Sequence, residues 1–168
     1  LTDDDDYSHC FDTIHEISPA LAREYLLIVW LDTICYNMDR HTGNFGFLRD
    51  TETGTILSMA PNYDNNIALI SNGYPSDVGR KSDGLIRFFR EFLQENPVAH
   101  AMYREMELPT ITEAMVEDAI ADAYAQYAFD IDRDYVKSFI LNGYHIVTDM
   151  INDIDAIESD DEFPGLMM

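Results

Sequence analysis

Asn37-Met-Asp39-Arg40-His41-Thr-Gly43-Asn44, with its sequel Ala60-Pro-Asn-Tyr63-Asp64-Asn-Asn66, decides how this chain is read. Both strings are dense in carboxylates and carboxamides, and the residues around them say how they are presented. Upstream, Ser18 suits a helix cap and Pro19 the first turn. Leu21, Tyr25, Ile28, Val29 and Leu31 then supply a wide apolar stripe up to about Tyr36, so a core helix delivers the chain to Asn37. Downstream, Phe45-Gly-Phe-Leu48 and Ile56-Leu-Ser-Met59 are short apolar runs separated by RDTETGT, with Gly54 near the turn. That is the pattern of a β-hairpin, and it puts the two polar strings at its two open ends.

The spacing points to phosphoryl transfer. In a protein-kinase site a catalytic-loop aspartate accepts a hydroxyl proton and an asparagine five positions later holds magnesium. A second metal-binding aspartate follows on the far side of a short hairpin. Asp39, Asn44 and Asp64 have that order and spacing. Oxygen ligands hold magnesium together with its waters and the phosphates of a nucleotide, which suits Asn44 and Asp64 as metal ligands. Asp39 is the candidate base. His41 joins it as a candidate catalytic residue that braces the loop, Arg40 offsets carboxylate charge, and Gly43 allows a sharp turn ahead of Asn44. Asn37, Arg40 and Asn44 form the candidate cofactor-binding set. Turn chemistry can account for each string separately, with Asn37 and Asp39 ending a helix and Asp64 turning beside Asn65 and Asn66. It does not account for both spacings together.

At these residues the chain resembles the HipA-like kinase family, whose signature runs N-x-D-x-H-x-x-N, an aromatic-rich strand, then A-P-x-Y-D. Asn37, Asp39, His41 and Asn44 match the first part, and Ala60, Pro61, Tyr63 and Asp64 the second. The resemblance covers roughly residues 25–70, and the helices beyond agree only in kind. It implies the C-terminal lobe of a protein-kinase-like fold and a Ser/Thr kinase using ATP and Mg2+, with Asp39 as base and Asn44 and Asp64 as metal ligands. It also implies a bacterial source, where such proteins act as toxins or growth regulators. Phosphatidylinositol kinases share D-R-H-x-x-N but continue with a D-F-G-type segment that Tyr63-Asp64-Asn65 does not match.

A working kinase also needs a glycine-rich loop and a strand lysine paired to a helix glutamate. The only lysines are Lys81 and Lys137, both beyond Asp64. An N-terminal lobe is therefore expected from an upstream segment or a separate partner, and a chain opening on Leu1 reads as a piece of something longer. The isolated chain is expected to be inactive. The competing reading is an inactive kinase-like scaffold used for binding or regulation.

Composition bounds the rest. A chain of 168 residues, 46% hydrophobic, suits one folded domain. A net charge of -22 repels phosphate backbones and anionic membrane surfaces, which disfavours both as partners. Two cysteines without a CxxC pair fit a reducing cytoplasm. The apolar run Tyr25–Ile34 is interrupted by Asp32 and too short to cross a bilayer, and no signal peptide precedes it. The expected organisation is an acidic lead-in over 1–17 with a loose start, a kinase-like C-lobe over 18–158, and a frayed tail over 159–168. The fold class is mainly α with one small β-hairpin.

Ser71–Gly84 reads as an exposed loop. Helices are expected over 83–95, capped by Asp83, over 97–106, over 112–128 behind a Thr110-x-x-Glu113 capping box, and over 132–157. Gly143 in the last allows close packing or a bend. Asp130-Ile-Asp132-Arg-Asp134 begins like a calcium loop, but Tyr135 and Leu141 stand where glycine and glutamate belong. Arg80, Lys81, Arg87 and Arg90 form a local basic cluster, read either as recognising an acidic or phosphorylated peptide or as balancing nearby acids.

Overall fold

Ser18 is extended and its Oγ accepts the N–H of Ala20 at 3.2 Å, Pro19 opens the first turn, and α2 (Pro19–Cys35) runs from there until Tyr36 turns left-handed at φ 57. Leu21, Tyr25, Leu26, Val29, Trp30 and Ile34 are all buried, on every side of this helix. A helix that is apolar all round belongs at the centre of a fold, and α2 is the axis on which α1 (Tyr7–Ile17), α3 (Gly84–Glu95), α4 (Pro97–Arg104), α6 (Arg133–Asp161) and β2 (Ile56–Met59) pack. The computed structural model describes residues 6–65, 68–69, 78–81, 83–127 and 132–161, with side chains up to residue 154. Among these the chain is mainly helical, with six helices and one two-stranded antiparallel sheet.

α1 (Tyr7–Ile17) corrects the reading of 1–17 as a lead-in. Asp6 caps it by accepting Ser8 N–H at 3.1 Å, and Tyr7, Cys10, Phe11 and Ile14 are buried along one face. Phe11 and Tyr7 meet Phe92 edge-on at 5.9 and 6.0 Å, so α1 belongs to the core. Residues 1–5 lie outside the described residues.

The hairpin forms as expected, with β1 (Phe47–Arg49) antiparallel to β2 (Ile56–Met59). Its turn is closed by Asp50, which accepts N–H groups of Glu52 and Thr53, and by Gly54 at φ 72. Ala60 N–H donates to Gly46 O at 2.7 Å, extending the pairing towards the two polar strings. Met59 N–H donates to Glu24 of α2 at 2.7 Å, and Phe45 packs on Tyr25 at 5.3 Å, so the hairpin is pinned to the central helix.

α3 (Gly84–Glu95) starts at the expected cap, Asp83 accepting from Leu85 and Ile86. α4 (Pro97–Arg104) is capped by Asn96, whose Nδ2 also reaches Ser8 and Asp12 of α1, both at 2.9 Å. α5 (Glu113–Gln126) is capped by Thr112 rather than from Thr110. It is mostly solvated and is tied to α6 (Arg133–Asp161) through Lys137, 3.0 Å from Glu113 and 2.8 Å from Glu117. Asp132 caps α6, accepting Asp134 N–H at 2.9 Å, which gives this acid a helix-starting role. Asp130 lies outside the described residues, as do most of the Ser71–Gly84 segment and residues 162–168 of the expected tail. Among the described residues no helix is long and apolar enough to cross a membrane.

Candidate functional site

The chain leaves α2 through a tight loop. Asn37 N–H donates back to Asp32 O at 2.8 Å, His41 N–H to Asp39 O at 3.1 Å, and Asn44 N–H to His41 O at 2.8 Å. Asn44 Nδ2 donates to Asp39 O at 2.7 Å and stands 3.4 Å from its carboxylate Oδ2. The five-residue spacing therefore brings the candidate base and the candidate metal ligand together. With Nδ2 committed, Asn44 keeps its Oδ1 lone pairs as the edge that could meet a cation. His41 Nδ1 accepts Gly43 N–H at 3.0 Å, which is the bracing expected of it. Gly43 is needed for space rather than for a left-handed turn, because a Cβ there would sit 2.9 Å from the His41 ring.

Arg40 organises the site from beneath. It is 4% exposed, and its fork grips Asp32 of α2 with Nε to Oδ2 at 2.6 Å and Nη2 to Oδ1 at 2.9 Å. Nη1 donates to Asn44 O and, at 3.1 Å, to Tyr63 O, and Nη2 donates to Asn62 at 2.7 Å and Asn65 at 2.8 Å. Burial works against the Arg40 charge, but the hydrogen bonds and charge of Asp32 outweigh it and hold its pKa above the ordinary value. Asn37 Nδ2 joins the same carboxylate at 2.9 Å and is 1% exposed. Asn37 and Arg40, both in the expected cofactor-binding set, are instead seen in internal hydrogen bonds. Their donors are committed inside the protein, and they hold the Asp39–Asn44 string to the Asn62–Asn65 string and both to α2.

Asp64 follows Tyr63 on the second string and is exposed, with φ 56. Because one guanidinium nitrogen binds both Asn44 O and Tyr63 O, the backbone bearing Asp64 lies beside Asn44. Tyr63 OH closes the other flank by donating to Gly43 O at 3.3 Å. Asp39, Asn44 and Asp64 offer only oxygen, the donor set of a hard cation such as Mg2+. Among the described residues no three His, Cys, Asp or Glu side chains converge as a metal cluster; the expected set has two carboxylates and one carboxamide.

Among the described residues, four other than glycine have left-handed backbones: Tyr36, Asp64, Leu69 and Arg80, at φ 57, 56, 58 and 54. Such conformations are costly and gather at functional sites. All four lie on segments meeting at the end of α2. Tyr36 ends the helix, Leu69 N–H donates to Cys35 O at 2.6 Å, and Arg80 donates to Thr33 O and Ile34 O.

Sequence reasoning overlooked Asp32, Asn62, Asn65 and Arg80. The available signals were the single acid in the apolar run Tyr25–Ile34 and the asparagines flanking Asp64. Of the basic cluster, Arg80 points inward at 2% exposure. Arg87 stands 3.8 Å from Glu91 and Arg90 3.7 Å from Asp153, in line with balancing of nearby acids. Compared with protein-family models, curated proteins and solved structures, the chain finds no match in any of the three.

Proposed function

We propose that this chain is the catalytic lobe of a HipA-like Ser/Thr phosphotransferase that moves the γ-phosphoryl group of ATP to a protein hydroxyl. A second lobe, from an upstream segment or a partner, covers the nucleotide. The observation that carries this reading is the latch of Arg40, which joins the Asp39–Asn44 loop and the Asn62–Asn65 segment on one buried carboxylate of α2. A phosphotransfer site needs this: a base and two metal-binding strings held in fixed relation before substrate arrives.

In this reading Asp39 takes the proton of the substrate hydroxyl. The hydroxyl oxygen then bonds to the γ-phosphorus as its bond to ADP breaks. Asn44 and Asp64 hold Mg2+, which neutralises charge on the phosphates. His41 and Gly43 shape the loop, and Arg40 and Asn37 keep it in register. A kinase-like binding scaffold without phosphotransfer is the second reading, favoured by the lysines. Lys137 is bound by Glu113 and Glu117 on α5, and Lys81 follows the metal string instead of preceding it.

A thermal melt with magnesium tests the site without the missing lobe. A millimolar site at tenfold excess gains about 1.4 kcal/mol, or roughly 3–6 °C for a chain of this size. Because the chain carries -22, sodium at matched ionic strength and Asp134→Asn, 94% exposed at its side chain, serve as controls for general screening. Asp64→Asn is expected to remove most of the shift and Asp134→Asn to leave it. Equal responses in all three proteins, or no response beyond that of sodium, would sink the metal site and with it the phosphotransfer reading.

A further inference from the structure

The last four carbonyls of a helix have no partner within it, and at the end of α2 all four are met from outside the helix. Asp32 O accepts Asn37 N–H at 2.8 Å, and Cys35 O accepts Leu69 N–H at 2.6 Å. The two between them are met by one side chain, with Arg80 donating to Thr33 O at 2.5 Å and to Ile34 O.

Arg80 is held there on every side. Nε donates to Asp83 at 2.8 Å, and the guanidinium lies 4.4 Å from the centre of the Phe139 ring and 5.6 Å from that of Tyr36. A Cβ on Gly143 of α6 would come within 1.9 Å of Nη1 and 2.9 Å of Ile34 O. The glycine in mid-helix is thus the socket for this side chain, and no other residue fits without displacing it. The charge also sits at the negative end of the α2 dipole, where a cation is favoured.

Resting on the phosphotransfer reading above, we propose that Arg80 is a positioning residue for that site. Its guanidinium takes the place of the next turn of α2, fixes where the helix stops, and so sets the turn at Tyr36 from which Asn37, Asp39 and Asn44 are presented. Lysine cannot replace it. A point charge does not span two carbonyls and a carboxylate while stacking on two rings.

Amide hydrogen exchange on the full chain tests this with Arg80→Lys and Gly143→Ala. The expected result is exchange about tenfold faster over residues 37–44, with α4 (97–104) unchanged, which is the signature of a local opening. The magnesium-induced melting shift should fall by half or more in the same variants. Should Arg80→Lys fail to fold, Asp83→Asn, which keeps a capping side chain on α3 but weakens the hold on Nε, is read in the same way. Unchanged protection over 37–44, or an equal loss in α4, would make Arg80 a general brace and overturn the proposal. A wild-type protein without any magnesium shift would overturn the phosphotransfer reading instead, and the exchange pattern would still decide whether Arg80 sets the loop.

Discussion

Replacing Arg40 with methionine keeps an unbranched apolar stem and removes the charged fork. Among the described residues Asp32 would then be left, 2% exposed, with the Asn37 carboxamide at 2.9 Å as its one side-chain partner. Breaking a buried pair from one side costs about 3–5 kcal/mol, because the remaining charge is uncompensated. Domain stabilities run to only about 5–15 kcal/mol, so Arg40→Met should lower the melting temperature by about 10 °C or more. The double variant Asp32→Leu with Arg40→Met removes both charges. Apolar replacement of a buried pair is often close to neutral, so about 2 kcal/mol or more should return. The links to Asn62, Asn65 and the Asn44 and Tyr63 carbonyls stay lost, and with them the magnesium response. Urea unfolding followed by circular dichroism measures the first effect, and the magnesium melt the second. A cost below about 1 kcal/mol for Arg40→Met, the size of a surface ion pair, would refute the buried latch. A double variant that regains the magnesium response would refute its role in holding the loops.

Phe11, fully buried against Phe92, should cost about 3–5 kcal/mol as Phe11→Ala; an unchanged urea midpoint would return residues 7–17 to the status of a lead-in. Burial, reinforced by the Asp32 charge and opposed by Arg80, pushes the Cys35 thiol from 9.0 up to about 11. The unfolded thiol therefore ionises first, so this contribution is complete below about pH 9 and is lost as pH rises towards 11, a loss of ~2 kcal/mol. Cys35→Ala should flatten the fall in stability between pH 8 and 10.5, and equal slopes for wild type and variant would show that the thiol is not what titrates.

The parts of the fold that could be read from the sequence are those whose signals are local. Ser18-Pro19, Asp83 and the apolar runs around Gly54 each carry cap or turn chemistry within a few residues, and α2, α3 and the hairpin formed where those signals stand. α1 was hidden because its apolar set, Tyr7, Cys10, Phe11 and Ile14, is interleaved with polar residues and follows a run of aspartates that dominates the charge of the segment. The set has the i, i+3, i+4, i+7 spacing of one helix face, and it is buried by the neighbouring α2 and by Phe92 of α3; the signal was present but short, and the aspartates ahead of it outweighed it. The α5 cap shows the same limit on a smaller scale. Thr110 and Thr112 both offer a hydroxyl, and in the fold it is Thr112 that accepts Met115 N–H at 3.3 Å.

The candidate site divides along the same line. Asp39 and Asn44 meet because five residues of loop bring them together, and that distance is written in the motif. The latch is not, since Arg40 must find Asp32 across a helix end and Asn62 and Asn65 across a hairpin. A buried ion pair is a weak means of stabilising a fold, because desolvation offsets much of the attraction. The Asp32–Arg40 pair makes more physical sense as a register device: its fork has fixed geometry, so it places two loops relative to one helix in a way that an apolar contact of equal volume would not. Arg80 acts on the same helix end from the other side and replaces a turn of backbone with a guanidinium. Each of the two arginines thus turns a helix terminus, ordinarily the first part of a helix to fray, into a rigid mount for Asp39 and Asn44.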